Sequence, residues 1–339
     1  MPETPMIPEM PMIPEAPKKS GTVALVGRPN AGKSTLLNRL LEEKLAIVSD
    51  KPQTTRHRIV GILSGERGQM VFYDTPGIHK PLHRLNRQMV RYALDAMTDA
   101  DVTCLLVDVS AKTGGGDAYV LDLAAKAEGP RVLLLNKVDR IKKPEILPRI
   151  AHYAKTGLFE EIVPISAATG ENCDRLLEIL WNLLPEGEPM FDPELLTIHP
   201  ERFLVAERIR EKVLELTTEE LPFSTAVVLE RWEEEPEKNL VLIYASILVD
   251  RPGQKKIVVG RQGQMVKAIG TAARVDLEEY LGRRVYLDLN VRLEPDWREN
   301  KGVLATLDRD VDLGMGLDLL PRGPDQDPDE EPDPEPGSE

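Results

Sequence analysis

The order of apolar runs predicts an α/β domain on a mainly parallel six-stranded sheet, followed by a smaller α+β domain. Three observations carry this. From Gly21, five short apolar runs alternate with amphipathic segments, and VGIL near 60–63 adds a sixth. A proline-rich acidic stretch, PEGEPMFDPE at 185–194, then interrupts the alternation. Beyond it the pattern restarts in the order helix, strand, strand, helix, helix, strand. Apolar strands separated by helices belong to a sheet covered on both faces, and 339 residues leave room for two cores.

In chain order, TVALVG is a strand and a helix starts at Lys33; VGIL near 60–63 and QMVFYD are strands, with a helix over about 83–97. VTCLLVDV, RVLLLN and EIVPIS are further strands, followed by helices from Asp117, from about Pro144, and from Asn172 to Leu184. In the second domain a helix of about 201–216 precedes TAVVLERWEEE and LVLIYASILVD, two strands joined by PEKN. The helices QKKIVV and MVKAIGTAARVDLEEYL flank GRQG. VYLDLNVRL closes as a half-exposed strand, since Val285, Leu287, Leu289, Val291 and Leu293 alternate with polar residues. The expected division is a proline-rich arm at 1–19 with PMIPE twice, a first domain at 20–184, a linker at 185–199, a second domain at 200–309, and an acidic tail at 310–339. Arm and tail read as disordered.

The composition, 41% hydrophobic and 29% charged, is that of a soluble globular chain. A net charge of −14 argues against a protein that coats nucleic acid generally. The charge is uneven, however: Pro324 to Glu339 hold eight acids and no base. Cys104 and Cys173 read as reduced core thiols. The chain starts without a basic segment leading into an apolar run, and no stretch approaches the length of a membrane span. The expectation is a cytoplasmic protein, with peripheral contact at the inner face of the cell membrane left open.

The motifs fall at strand ends, where such sheets bind ligands. GRPNAGKST at 27–35 fits the phosphate-binding loop, with Gly27, Gly32, Lys33 and Ser34 at the defining positions and Arg28, Pro29, Asn30, Ala31 and Thr35 between and after them. Glycines let backbone N–H groups face a β-phosphate, Lys33 adds charge, and Ser34 offers an oxygen to Mg²⁺. DTPG places Asp74 near the metal through a bound water and the Gly77 N–H at the γ-phosphate, with Thr75, Pro76 and Ile78 completing the loop. A familiar switch has glutamine where Ile78 stands, and a side chain of isoleucine cannot orient water. In PQTTRHRIVG at 52–61, one threonine should close onto Mg²⁺; Thr55 is favoured over Thr54 with little to separate them. In NKVD, Asp139 can accept from both guanine donors, a pairing that adenine lacks. Asn136 and Lys137 would brace that loop, and the backbone at Ser166 and Ala167 would meet the guanine oxygen. Together the motifs favour GTP over ATP, with Lys33, Thr55, Asp74 and Gly77 as the catalytic set.

GRPNAGKST, PQTTRHRIVG, DTPG, NKVD and SA together resemble the Era family of translation-factor-like GTPases. The resemblance spans roughly residues 20–309 and implies a P-loop GTPase acting in small (30S) ribosomal subunit assembly. In relatives lacking the glutamine, a phosphate-loop asparagine can hold K⁺; Asn30 matches that position, and it could equally just cap the loop. In the second domain GRQG, within its helix and strand order, resembles the type II KH module, whose loop clamps single-stranded RNA. Gly260 and Gly263 would let phosphates approach, Arg261 would pair with one, and Lys255, Lys256, Lys267 and Arg274 would extend a basic strip. From Arg251 to Arg274 there are six basic residues and no acid. Ile257, Val258 and Ile269 are expected to form an apolar floor beneath bases. The resemblance implies binding near the 3′ end of 16S ribosomal RNA, and a monomer is expected. An acidic tail could compete with RNA for the strip. A rival reading is a GTP-dependent switch whose second domain contacts protein or membrane.

Overall fold

The computed structural model describes residues 17–81, 83–111, 115–217 and 221–312. Most of the expected arm and tail lies outside the described residues. The first domain begins with β1 (Lys19–Gly27), whose turn leads into α1 (Lys33–Leu41). β2 (Ile59–Gly65) and β3 (Gly68–Asp74) form a hairpin, followed by α2 (Arg84–Asp99) and β4 (Val102–Asp108). Then come α3 (Gly115–Ala124), β5 (Arg131–Asn136), α4 (Ile146–Ala154), β6 (Glu161–Ile165) and α5 (Cys173–Leu183). The sheet order is β2-β3-β1-β4-β5-β6, with β2 antiparallel to β3 and every other pair parallel. The six strands and their mainly parallel pairing are as the apolar runs predicted. Cys104 and Cys173 are buried and free. No helix among the described residues is long and apolar enough to cross a membrane.

The segment after α5 is strapped to the edge of the sheet. The Ile62 N–H donates to the Leu196 carbonyl, Thr197 Oγ1 donates to the Val60 carbonyl, and buried Gln69 accepts from the Met190 and Phe191 N–H groups. The bonds at Ile62 and Val60 satisfy outer backbone groups of β2, an edge strand otherwise open to pairing. The Val60 N–H donates to His199 Nε2 at 2.9 Å, which requires that nitrogen to be unprotonated. Burial, with His57 and Arg58 nearby, lowers His199 to about 3.

The second domain contains α6 (Glu201–Leu216), a single turn α7 (Leu221–Ser224), β7 (Thr225–Glu235), β8 (Leu240–Val249), α8 (Pro252–Val259), α9 (Gln264–Leu281) and β9 (Arg284–Leu293). β7 and β8 are antiparallel, whereas β8 and β9 are parallel, so α8 and α9 form the crossover between them. Val205, Ile209, Val213 and Ile269, Ala273, Leu277 of the two long helices pack on the sheet's inner face. The expected helix and strand order is present. Besides the single turn α7, one longer element was missed: α10 (Lys301–Asp312) continues through the expected boundary at 309. Its Leu304, with Trp297, packs against Leu85 and Met89 of α2 and closes the outer face of β7 and β8 at Ala226, Val228 and Leu248. The mixed polarity of EPDWRENKGVLATLDR conceals this helix, because its partner surface comes from another domain.

Candidate functional site: a phosphate pocket and a basic strip

A pocket at the carboxyl ends of β1, β3, β5 and β6 is lined by Pro29, Asn30, Gly32, Lys33, Ser34 and Thr35, by Gly77, by Asn136, Lys137 and Asp139, and by Ala167. Motifs more than a hundred residues apart therefore converge. Asn136 ties them: its Nδ2 donates to the Ala31 carbonyl at 2.7 Å, and its Oδ1 accepts from the Ala167 N–H at 3.0 Å. Lys137 Nζ donates to the Asn30 carbonyl and to Asp108, each at 2.7 Å. Gly32 sits at φ 96°, and a Cβ there would lie 2.2 Å from Asn136 Nδ2, so only glycine fits. A Cβ on Gly77 would lie 2.5 Å from Pro29 N, which brings the two phosphate-facing loops into close contact. Asp139 is exposed at the rim of the pocket.

Ser34 Oγ lies 2.8 Å from Thr55 Oγ1 and donates to Asp74 Oδ2 at 2.6 Å. Asp74 Oδ1 is buried without a partner. Three oxygen-bearing side chains with one orphaned carboxylate oxygen suit a hard, oxygen-seeking divalent cation and its water. Thr54 Oγ1 instead donates to the Lys51 carbonyl at 2.6 Å, so the two threonines separate by geometry. Burial pushes Asp74 up to about 6 despite Lys33 and the hydroxyl donors, and burial lowers Lys33 to about 8 despite Asp74. Burial thus disfavours the charged form of each, and opposite charge from a ligand would favour it.

Several expected contacts fall elsewhere. The Ile78 side chain, 1% exposed, is packed with Ala24, Val26, Ala93 and Met97 in the core, and only its N–H reaches the phosphate loop, donating to the Gly27 carbonyl. Arg28 turns away to pair with Asp117 at 3.1 Å. Thr75 Oγ1 donates to the Leu25 carbonyl, holding the loop to β1. Ser166 Oγ accepts from the Thr169 N–H, stiffening its own turn. Gly27, Ala31, Asp74, Pro76 and Ser166 support the pocket without lining it.

Between α1 and β2, sequence reasoning singled out only the threonine pair of 52–61 and missed the rest of this segment as a wall of the pocket. Ile47, Val48, Ser49, Asp50 and Gln53 line it, as do Arg140 and Ala168. Asn30 Nδ2 donates to the Asp50 carbonyl at 2.7 Å, and Gln53 Nε2 lies 3.2 Å from His79 Nε2. The second domain grips the same segment from behind. Glu211 accepts from the Val48 N–H and from Lys44 Nζ, Arg208 donates to the Lys44 carbonyl, and Arg210 donates to the Thr54 carbonyl at 2.5 Å. Arg56 donates in return to the Thr225 carbonyl at 2.7 Å and lies over the Trp297 ring. Burial would raise Glu207, but Arg210 beside it overrides this and holds the carboxyl below its usual range. The available signal was three charged residues on the buried face of α6, Arg208, Arg210 and Glu211.

The GRQG loop is a tight turn, with Gly260 at φ 73°, Gln262 at φ 52° and Gly263 at φ 77°. A Cβ on Gly260 would lie 2.7 Å from the Met265 Cβ, whereas Gly263 faces open space. Lys255, Lys256, Arg261, Lys267 and Arg274 are all exposed. The expected apolar floor is not there: Val258 and Ile269 are 0% exposed and belong to the domain core, and only Ile257, 53% exposed, faces outward. Helical periodicity requires this, since residues 257 and 258 point about 100° apart.

Residues 22–137 match the family described as 50S ribosome-binding GTPase, and residues 220–298 match the KH domain. The chain is a GTPase whose nucleotide domain is followed by a KH domain. It belongs to the family of GTPase Era. GTPase Era of Geobacter metallireducens is 47% identical over 86% of this chain and 98% of its own length. That of Leuconostoc citreum is 48% identical over 85% and 96%. Among solved structures, Era in complex with MgGDPNP and nucleotides 1506–1542 of 16S ribosomal RNA superposes with a TM-score of 0.83, at 39% identity over 86% of this chain and 98% of that one. An Aquifex aeolicus Era variant bound to GDP and aluminium fluoride gives 0.81 at the same identity, over 85% and 98%.

Proposed function

We propose that this GTPase binds 16S ribosomal RNA near its 3′ end through Lys255, Lys256, Arg261 and Lys267, with Gly260 and Gly263 admitting the backbone, and acts in 30S assembly. The relative seen with a 16S fragment and the exposed basic strip support this reading. Ser34, Thr55 and, through water, Asp74 would hold Mg²⁺, which supplies charge stabilisation to the phosphates when bound. Lys33 and the Gly77 N–H would stabilise charge on the β- and γ-phosphates, and Asp139 would read guanine. The observation that carries the reading is the convergence of Ser34, Thr55 and Asp74, because Thr55 sits between Thr54 and Arg56, both held by the second domain. Ligand-driven movement of Thr55 would thereby reach α6 and β7.

The boundaries 20–184, 185–199 and 200–309 serve as working domain limits, with α10 carried along by the second. The protein is taken as a cytoplasmic monomer, with peripheral contact at the inner face of the cell membrane left open. Asn30 would offer its Oδ1 to K⁺, its Nδ2 being used by the Asp50 carbonyl. The test is steady-state GTP hydrolysis in K⁺ and in Na⁺, with and without the 3′-terminal 16S fragment. Faster turnover in K⁺ and tight, salt-sensitive binding of the fragment are expected; equal turnover in both ions removes the Asn30 role, and no binding removes the RNA reading. Asp139→Asn should weaken GTP by about a hundredfold and gain xanthosine nucleotide, since two charge-assisted bonds are lost. Unchanged GTP affinity by titration would reject the base assignment.

A further inference from the structure

We propose that the acidic segment following α10 docks in cis on the basic strip of α8, the GRQG turn and α9, and so excludes weakly bound RNA. The proposal rests on the reading of that strip as an RNA surface. On this domain surface several arginines are paired with carboxylates: Arg274 with Glu278, Arg283 with Glu201 and Glu234, Arg292 with Glu230, and Arg298 with Asp250. The strip departs from this habit. Lys255, Lys256, Arg261 and Lys267 are exposed, and none has a carboxylate partner among the described residues. Four exposed cations within residues 255–267, none paired with a carboxylate among the described residues, make a surface suited to an anionic chain.

The chain itself carries such an anion. Residues 313–339 contain nine acids and one base, Arg322. The attachment point is suitable. Arg298 pairs with Asp250 at 3.2 Å, immediately before Arg251 at the start of the strip. From there α10 covers twelve residues, about 18 Å. The 27 residues beyond Asp312 span roughly 30 Å as a random chain and up to about 90 Å extended, which brings the strip within reach. Tethering at this distance gives an effective concentration on the order of millimolar. The relatives match along 94–98% of their own lengths but 84–86% of this chain, so part of this chain has no counterpart in them. Docking of this kind sets a threshold: an RNA making several phosphate contacts displaces the segment, whereas one making few does not.

The experiment compares the full chain, a chain ending at Asp312, and a full chain in which the nine acids after Asp312 are replaced by Asn or Gln. Labelling of Lys255, Lys256 and Lys267 by an amine-reactive ester is measured without RNA, and binding of a short single-stranded RNA is measured in about 50 mM and 300 mM KCl. Both altered chains should label several-fold faster at the three lysines. They should bind RNA about tenfold tighter at low salt, with the gap closing at high salt as screening shortens. Equal labelling in all three chains overturns the docking. Protection that grows with protein concentration also overturns it, by assigning the contact to a second copy. Protection without any change in RNA affinity keeps the docking and removes the RNA reading of the strip. Unchanged GTP hydrolysis in the altered chains verifies that the fold is intact.

Discussion

In the phosphate pocket the working groups are buried and bonded to one another: Lys33 and Asp74 are enclosed, Ser34 and Thr55 share a hydrogen bond, and Asn136 ties three loops. Along α8 and α9 the working groups are exposed, held only by the helices that bear them. The difference follows from what each surface is proposed to handle. A small, highly charged ligand needs fixed dipoles in a low-dielectric site, where each donor has a large effect. A flexible polyanion needs mobile cations in water, where each contributes little and salt weakens all.

The largest effect should come from Lys33. Lys33→Ala is expected to lower GTP turnover by about a hundred- to a thousandfold, read as single-turnover hydrolysis at saturating GTP. A loss of tenfold or less would place this site with the exposed strip, and the contrast would fail. Ile78→Ala should separate folding from chemistry. Because Ile78 is 1% exposed in the core, its truncation should cost about 2–5 kcal/mol in urea unfolding. Turnover per folded molecule should stay within about twofold. A collapse of turnover with folding intact would mean that the side chain acts on water after all.

The linker strap offers a pH test. The folded His199 stays neutral down to about 3, while an unfolded histidine binds a proton near pH 6.5. The unfolded state therefore holds more protons between these values, and the stability present above about pH 6.5 is lost as pH falls toward 3. By pH 5 the loss from this residue should be about 2 kcal/mol, seen as a larger fall in urea midpoint for the parent than for His199→Gln. Parallel falls in the two proteins would show that this imidazole does not report the strap. The smallest single effect belongs to the strip. Lys255→Gln and Lys256→Gln should each flatten the log–log salt dependence of RNA binding by roughly 0.7, with hydrolysis unchanged. A loss of binding to one RNA sequence alone would instead make these lysines readers of bases.

The amino-acid order by itself determined the six apolar strands, the phosphate loop, the NKVD tetrapeptide at its strand end and the GRQG turn, because each depends on a local backbone need or a short period. It also isolated the acid-free run from Arg251 to Arg274. What only the tertiary structure decided concerns partners distant in sequence. Thr55 separates from Thr54 because Ser34, 21 residues away, meets it. Ile78 and Val258 are core residues because neighbouring helices cover them, and their letters alone do not state which face they occupy. Arg210 meets the Thr54 carbonyl across 156 positions, and α10 finds its apolar partner on α2. A short motif encodes its own geometry through φ, ψ and spacing. A contact between domains is encoded in two places at once, and each half reads as an ordinary charged or apolar helix face until the chain has folded.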